Sequence, residues 1–132
     1  MNILVLCTGN SCRSQLAEGY IRHFHGDVAT VYSAGIETHG VNPRAIAVMA
    51  EDGIDISMHT SNHVDEYAHI AFDLVFTVCD HASEQCPVFP GVVKRVHHNF
   101  LDPAKATGTE EEVMLAFRAV RDEIKAFCKS LV

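Results

Sequence analysis

The sequence predicts an α/β fold: a single-domain, three-layer sandwich in which helices cover both faces of a four-stranded parallel sheet. Apolar β-type runs alternate along the chain with segments of helical periodicity, which is typical of such a sheet. The 132 residues are enough for one domain with a substantial core and leave no room for a second, so residues 1–132 are expected to form one unit. The composition, 48% hydrophobic and 20% charged, excludes disordered, collagen-like and coiled-coil classes.

The elements of the first half are predicted from apolar periodicity and from helix signals. Asn2–Leu6 is a continuous apolar run, as in a central parallel strand. Apolar residues recur at helical spacing after Ser14, and Asn42 with Pro43 combines a helix cap with a first-turn proline. The predicted elements are a strand at 2–6, a helix at 14–26, a strand at 28–33 and a helix at 43–53.

The second half repeats this alternation of strands and helices. Thr60 or Ser61 can cap a short helix, and Thr109 opens a long final helix with an apolar stripe at 4-3-4-3 spacing. The predicted elements are a short helix at 60–70, strands at 72–78 and 92–96, a short helix between those strands over 80–86, and a helix from 109 to about 131.

The charge and the cysteine count limit the classes of partner and compartment. The net charge is −7, which excludes duplex nucleic acid and anionic membranes as partners. The apolar run at residues 3–7 is too short for a signal peptide or a membrane span, so we expect a cytoplasmic protein. Five cysteines, an odd number, then favour catalytic, metal-binding or buried thiols over structural disulfides. We expect a monomer.

A loop between the first strand and the first helix carries the strongest chemical signal. Its candidate oxyanion-binding residues follow Cys7 directly and are Thr8, Gly9, Asn10, Ser11, Cys12, Arg13 and Ser14. Gly9 and Asn10 tolerate the left-handed backbone that turns successive amides toward one point, with a helix dipole behind them. Arg13 adds a planar fork for a tetrahedral oxyanion, and the same positive field favours the thiolate of Cys7. The loop predicts nucleophilic attack by Cys7 on a phosphate-like centre; the alternative is a buried cysteine beside a surface arginine.

A second thiol pair, Cys79 and Cys86, follows the third predicted strand. Because parallel strands end at one edge of the sheet, Cys79 is expected at the same edge as Cys7. If residues 80–86 are helical, the two thiols lie roughly 10 Å apart along the axis, whereas a disulfide needs Cα atoms within about 7 Å. Pairing would therefore unwind the segment, which predicts a redox switch. Zinc binding that includes His81, and ordinary buried thiols, are the alternatives.

Asp102 and Pro103 follow the last predicted strand and offer a general acid. Proline holds the preceding residue in an extended or turn conformation, and a carboxyl group in such a turn can donate a proton to a departing oxygen. Taken alone, an Asp-Pro pair is more often an ordinary turn. Its place after a strand that ends at the same edge as Cys7 favours the acid.

Residues 7–18, 32–42, 55–61 and 118–124 resemble the thioredoxin-coupled arsenate reductases, which share the low-molecular-weight protein tyrosine phosphatase fold. The resemblance implies arsenate as substrate, with phosphate or sulfate as mimics, and Cys7, Arg13, Asp102, Cys79 and Cys86 as catalytic residues. It implies that Asp102 projects over the loop as the acid, that Cys79 and Cys86 are the second and third redox cysteines, and that thioredoxin restores the thiols. No organic cofactor or metal is then needed.

The resemblance also bears on specificity and on a cation. Phosphatases of this fold often carry paired tyrosines after the Asp-Pro, whereas this chain has Ala104 and Lys105, which argues for a small inorganic substrate. Some relatives hold a monovalent cation behind the loop; Asn10 and Glu18 match its ligands, but Asn62 leaves that site one charge short. The alternatives to the reductase are a phosphatase acting on phosphotyrosine or small phosphoesters and a non-catalytic oxyanion sensor. The nine histidines show no metal-binding spacing, and Cys128 is expected to be a core thiol.

Overall fold

The computed structural model describes residues 1–79, 89, 91 and 94–132, and its central feature is one four-stranded parallel sheet. The strands are β1 (Asn2–Leu6), β2 (Thr30–Ala34), β3 (Leu74–Thr77) and β4 (Lys94–His97). The helices are α1 (Arg13–His25), α2 (Pro43–Glu51) and α3 (Glu110–Lys129). Short 3₁₀ helices are formed by Val64–Tyr67 and Pro103–Lys105. The α/β class and the parallel four-stranded sheet are therefore confirmed.

The sheet runs in the order β2-β1-β3-β4, which places β1 between two parallel neighbours. Leu6, the last residue of β1, pairs with Ala34 of β2 and with Thr77 of β3. The carboxyl ends of these three strands thus lie side by side, and the residues that follow them share one edge. Ligands bind at such an edge in parallel α/β sheets.

The two faces of the sheet are covered unequally. Ile3 and Val5 of β1 join the larger core beneath the helices, where α1 packs against α3 and α2 packs against both. Leu4 and Leu6 point to the opposite face and join a smaller apolar cluster. That cluster is covered in part by residues of the 3₁₀ helix Val64–Tyr67. Burial on both faces explains why β1 is apolar at consecutive positions.

The predicted short helix at 60–70 is wrong in length and in its cap. The structure forms one 3₁₀ turn, Val64–Tyr67, whose cap is His63. Thr60 and Ser61 lie before the cap: Ser61 Oγ donates to the Gly9 carbonyl and Asn62 N donates to Asn10 Oδ1, so this stretch is bonded to the loop and the helix begins only after His63.

Other predicted boundaries shift by a few residues or lie outside the described residues. The strands expected at 28–33 and 72–78 are observed as β2 and β3, and the weak strand expected at 92–96 is observed as β4. The helix caps predicted at Asn42 and Thr109 are present, each accepting a backbone N–H bond. The predicted helix at 80–86 lies outside the described residues. In the part of the chain that the structure describes, no helix is long and apolar enough to cross a membrane.

Candidate functional site

The loop between β1 and α1 curls around one end of the sheet. Cys7 follows the last residue of β1, and its N–H donates to the Ala34 carbonyl at 3.2 Å. Asn10 adopts φ 47°, the left-handed conformation expected in this loop, whereas Gly9 does not adopt a positive φ. Arg13 is the first residue of α1, so the loop ends at a helix N-terminus. The side chains of Cys7 and Arg13 are both buried.

The carbonyl groups of the loop are held on the side away from the cleft. Four consecutive carbonyls accept hydrogen bonds from neighbouring segments. They are Thr8 from Glu37 N (3.0 Å), Gly9 from His39 N (3.1 Å), Asn10 from Gln15 Nε2 (3.0 Å) and Ser11 from Asn42 N (2.9 Å). In a trans peptide unit the C=O and the next N–H point in opposite directions, and the described residues contain no cis bond. We infer that the amides of the loop are directed toward the cleft, as an anion site requires.

Gly35 is the point where a second segment touches the loop most closely. A Cβ atom at Gly35 would lie 2.5 Å from the Thr8 carbonyl oxygen and 2.7 Å from that of Cys7. The N–H of Gly35 donates to the Asn62 carbonyl, and its own carbonyl accepts from Val64 N. The position therefore requires glycine, because any side chain would displace the loop backbone.

Asn10 and Ser14 lie behind the loop and support it. Asn10 Nδ2 donates to Ser14 Oγ (2.9 Å) and to Ser33 Oγ (3.0 Å), while its Oδ1 accepts from Asn62 N at 2.7 Å. Both side chains are fully buried and neither lines the cleft. Their side chains hold the loop, so the candidate contacts to an oxyanion fall on the loop amides and Arg13.

A buried carboxylate continues this network. Ser33 Oγ donates to Glu18 Oε1 at 2.5 Å, and Glu18 Oε2 lies 2.9 Å from Arg22 Nη2 and 3.5 Å from His59 Nε2. Burial lowers the pKa of His59, opposed by the nearby Glu18 carboxylate. The oxygen atoms that a cation would need here, those of Asn10 and Glu18, already accept hydrogen bonds or pair with Arg22. Among the described residues no cluster of three or more His, Cys, Asp or Glu side chains could hold a metal ion.

Arg13 connects the loop to the ends of two other segments. Its Nη1 donates to the carbonyls of Phe100 (3.1 Å) and Val78 (3.5 Å), and its Nη2 lies 3.7 Å from Asp102 Oδ2. Asp102 is also fixed from the other side, because its Oδ1 accepts from Ala104 N at 3.0 Å. The guanidinium and the carboxylate are therefore held next to each other over the loop.

These groups line one cleft of about 240 Å³. Its lining residues are Cys7, Thr8, Gly9, Ser11, Cys12, Arg13, His39, Asp102, Ala104 and Lys105. The predicted nucleophile, arginine and acid thus meet in one place. Sequence reasoning missed His39 as a wall of this cleft. No sequence signal indicates this position, because His39 reaches the cleft through a hydrogen bond from its backbone N–H to the Gly9 carbonyl.

Cys12 and Cys128 are buried thiols of a different kind. Burial raises the pKa of Cys12 far above its usual value, and the negative charges of Asp102 and Cys7 act in the same direction while Arg13 opposes them. Burial raises the pKa of Cys128 to about 12. Both groups are therefore neutral at physiological pH, in keeping with packing roles.

Cys79 lies against the same strand end as Cys7. It is fully buried one residue after Val78, and its Sγ is 3.7 Å from the Leu6 carbonyl oxygen, which belongs to the peptide that leads into Cys7. Cys79 is disulfide-bonded, whereas Cys7 is a free thiol, so the bond is not to Cys7. Cys86 and His81, the other residues predicted to act with Cys79, lie outside the described residues.

Comparisons with known proteins show the family to which the whole chain belongs. The family model described as low molecular weight phosphotyrosine protein phosphatase matches residues 2–132. An arsenate reductase of Halalkalibacterium halodurans is 57% identical over 122 residues, covering 92% of this chain and 88% of the relative. One from Bacillus subtilis is 55% identical over 122 residues, with the same coverage of 92% and 88%. A solved structure described as an arsenate reductase in the phosphate binding state superimposes with a TM-score of 0.84 at 31% identity, covering 98% of this chain and 95% of its own. The chain therefore belongs to the low molecular weight phosphotyrosine protein phosphatase family, where it groups with the members named arsenate reductase.

Proposed function

We propose that this chain reduces arsenate to arsenite by a relay of three cysteines that thioredoxin regenerates. The observation that carries the proposal is the placement of Cys79 against the peptide leading to Cys7, beside a cleft that already holds a nucleophile, an arginine and an acid. Hydrolysis of a phosphoester needs one cysteine, so a second cysteine at this position, which is disulfide-bonded here, favours redox chemistry. The names of relatives that are 51–57% identical support the same substrate.

The first step is a substitution at arsenic without a change of oxidation state. The Cys7 thiolate forms a sulfur–arsenic bond, one arsenic–oxygen bond breaks, and Asp102 protonates the departing oxygen, which leaves as water. The loop amides and Arg13 stabilise the charge on the remaining oxygens. Asp102 is placed for the proton transfer because it lines the same cleft as Cys7 and Arg13.

The second step transfers two electrons from sulfur to arsenic. The Cys79 thiolate attacks Cys7 Sγ, the sulfur–arsenic bond breaks, and its electron pair stays on arsenic, which leaves as arsenite. The product is a Cys7–Cys79 disulfide. The Cys86 thiolate then attacks Cys79, which frees Cys7, and the dithiol of thioredoxin reduces the remaining disulfide by exchange. The electrons come from thiols, so the proposal includes no organic cofactor.

A phosphatase acting on phosphotyrosine or small phosphoesters is the second candidate, favoured by the match to the phosphatase family model. The same cleft would serve, with water in place of Cys79 resolving the intermediate. The cleft wall next to Asp102 is formed by Ala104 and Lys105, neither of which has an aromatic ring to stack on a substrate. This wall argues against an aromatic substrate. A non-catalytic oxyanion sensor would not need Asp102 at the cleft.

The decisive assay measures arsenite release with thioredoxin, its reductase and NADPH. Cys79→Ser is expected to abolish turnover, and Cys86→Ser to allow at most one arsenite per protein molecule. Cys128→Ala is the matched control, because it removes a buried thiol remote from the cleft and is expected to keep turnover. Sustained turnover by Cys86→Ser with thioredoxin as sole reductant would refute the relay. Phosphatase activity that survives Cys79→Ser, without arsenite release by the unmodified protein, would favour the second candidate.

We also propose that the protein works as a cytoplasmic monomer, without nucleic acid or membrane. The acidic net charge of −7 supports the last two points. Gel filtration with light scattering checks the monomer, and a dimeric mass would contradict it.

A further inference from the structure

Lys105 lies where the wall of the Cys7 cleft meets a second groove. It lines both the cleft of about 240 Å³ and the adjoining groove of about 400 Å³. Its backbone is fixed, because Lys105 ends the short 3₁₀ helix that begins at the buried Pro103, and its N–H donates to the Asp102 carbonyl at 3.1 Å. The side chain itself is exposed. The backbone of Lys105 is therefore held at the cleft while its exposed side chain carries a positive charge at the cleft opening.

Among the residues that the structure describes, the ammonium of Lys105 differs from the guanidinium groups of Arg13 and Arg44 in having no acidic partner. Arg13 lies beside Asp102, and Arg44 pairs with Glu110. Within residues 1–79, 89, 91 and 94–132, no carboxylate lies within ion-pair distance of Lys105. Its full charge is therefore available to a ligand.

The charge balance of the cleft makes this cation important. Arg13 Nη2 lies 3.7 Å from Asp102 Oδ2, so the charge of the guanidinium is offset whenever Asp102 is ionised. The whole chain carries −7, which repels a doubly charged oxyanion. His39 also lines the cleft, but its Nε2 lies 2.7 Å from Glu37 Oε2, so among the described lining residues Lys105 is the cation that no carboxylate offsets.

We propose that Lys105 is a binding residue for the tetrahedral oxyanion, which draws the dianion into the cleft and contacts it there. The inference rests on the proposed function only for the identity of the substrate. Binding of inorganic phosphate tests it separately, because phosphate needs the cleft but not the cysteine relay.

The experiment is calorimetric titration of the reduced protein with inorganic phosphate at about 0.01 M and about 1 M ionic strength, where the Debye length falls from about 30 Å to about 3 Å. Lys105→Gln is expected to weaken phosphate binding about three- to tenfold at low ionic strength, with little difference at high ionic strength. Lys105→Arg is expected to restore binding. In arsenate kinetics, Lys105→Gln should raise KM and leave kcat nearly unchanged.

Lys129→Gln is the matched control, since it makes the same change in net charge far from the cleft. Lys129 lies in the last turn of α3, next to Cys128, whose carbonyl contacts His25 at the end of α1. Because α1 begins at the cleft and has 13 residues, that end is about 20 Å away. We expect Lys129→Gln to bind phosphate as the unmodified protein does.

Two outcomes separate this inference from the proposed function. Equal phosphate binding by Lys105→Gln and Lys129→Gln at low ionic strength overturns the inference, even if the protein reduces arsenate. A salt-independent loss of affinity together with a lower kcat also overturns it, since that result indicates a merely structural role. Salt-dependent binding through Lys105 in a protein that releases no arsenite supports the inference and overturns the proposed function.

Discussion

Replacing Gly35 with alanine tests whether the geometry of the loop backbone controls activity. The added Cβ would lie 2.5 Å from the Thr8 carbonyl oxygen, 2.7 Å from that of Cys7 and 2.9 Å from the amide nitrogen of Asn10. Real Cβ contacts essentially never fall under 3.0 Å, so the Thr8 carbonyl must move by at least 0.5 Å, the difference between 3.0 and 2.5 Å. All three contacts are backbone atoms of the loop, so no flexible side chain can absorb the displacement.

The displacement should reduce both activity and stability. Misplacement of reacting groups by about 1 Å can cost about 100-fold in rate, and we expect a loss of kcat/KM of about that size for Gly35→Ala. Overpacking of a tight contact costs about 1–3 kcal/mol, which we expect in the free energy of unfolding. Arsenite release and denaturant unfolding measure the two effects.

Gly53→Ala is the control for stability alone. Gly53 has φ +77° and nothing within 4 Å of an added Cβ, so alanine there is strained without touching the loop. We expect a loss of about 1 kcal/mol and unchanged kcat/KM. Wild-type kcat/KM in Gly35→Ala would refute the reasoning, as would an activity loss no larger than that of Gly53→Ala.

The remaining predictions concern thiol reactivity and acid stability. In the reduced protein at pH 8, iodoacetamide should modify Cys7 and spare Cys128, whose pKa is raised by burial to about 12; peptide mass spectrometry checks this, and earlier modification of Cys128 would contradict it. Hydrogen bonds from Lys125 and Tyr20 lower the pKa of Asp52 from 3.8. This carboxylate stabilises the fold above its unfolded pKa, and the contribution is lost as pH falls through the lower native value. Asp52→Asn should therefore lower Tm at pH 7 by about 3 °C and reduce the dependence of Tm on pH between 5 and 3; an unchanged Tm at pH 7 would show that the carboxylate contributes nothing.

The elements that could be predicted are those with strong local signals. The strand Asn2–Leu6 has the predicted bounds because it is apolar at each position that is buried, on both faces of the sheet. The start of the final helix is likewise local, since Thr109 and Glu112 form a capping box within four residues. The grouping of Cys7 with Arg13 could be anticipated from the loop that joins a strand to a helix, whereas the position of Asp102 over that loop was implied by the resemblance to the phosphatase fold.

The parts that could not be predicted depend on contacts between distant segments. No local pattern shows that residues 37–42 bond to the loop carbonyls, or that the Asn62 amide reaches Asn10. The error at residues 60–70 has the same origin, because Ser61 and Asn62 bond to the distant loop: Ser61 Oγ donates to the Gly9 carbonyl, and Asn62 N donates to Asn10 Oδ1. These bonds to the loop hold residues 61–62 outside a helix, which begins only after His63.

The outward anchoring of the loop carbonyls has a consequence for selectivity. The loop amides are already directed toward the cleft before a ligand arrives, so they suit any tetrahedral dianion of similar size. Binding alone therefore discriminates weakly among such dianions. If the chain reduces arsenate as proposed, discrimination arises at the sulfur exchange, because pentavalent arsenic accepts the electron pair of its bond to sulfur and pentavalent phosphorus does not. Inorganic phosphate would then compete with arsenate for the loop amides without being consumed. The phosphate concentration around the protein would therefore set a lower limit on the apparent KM for arsenate.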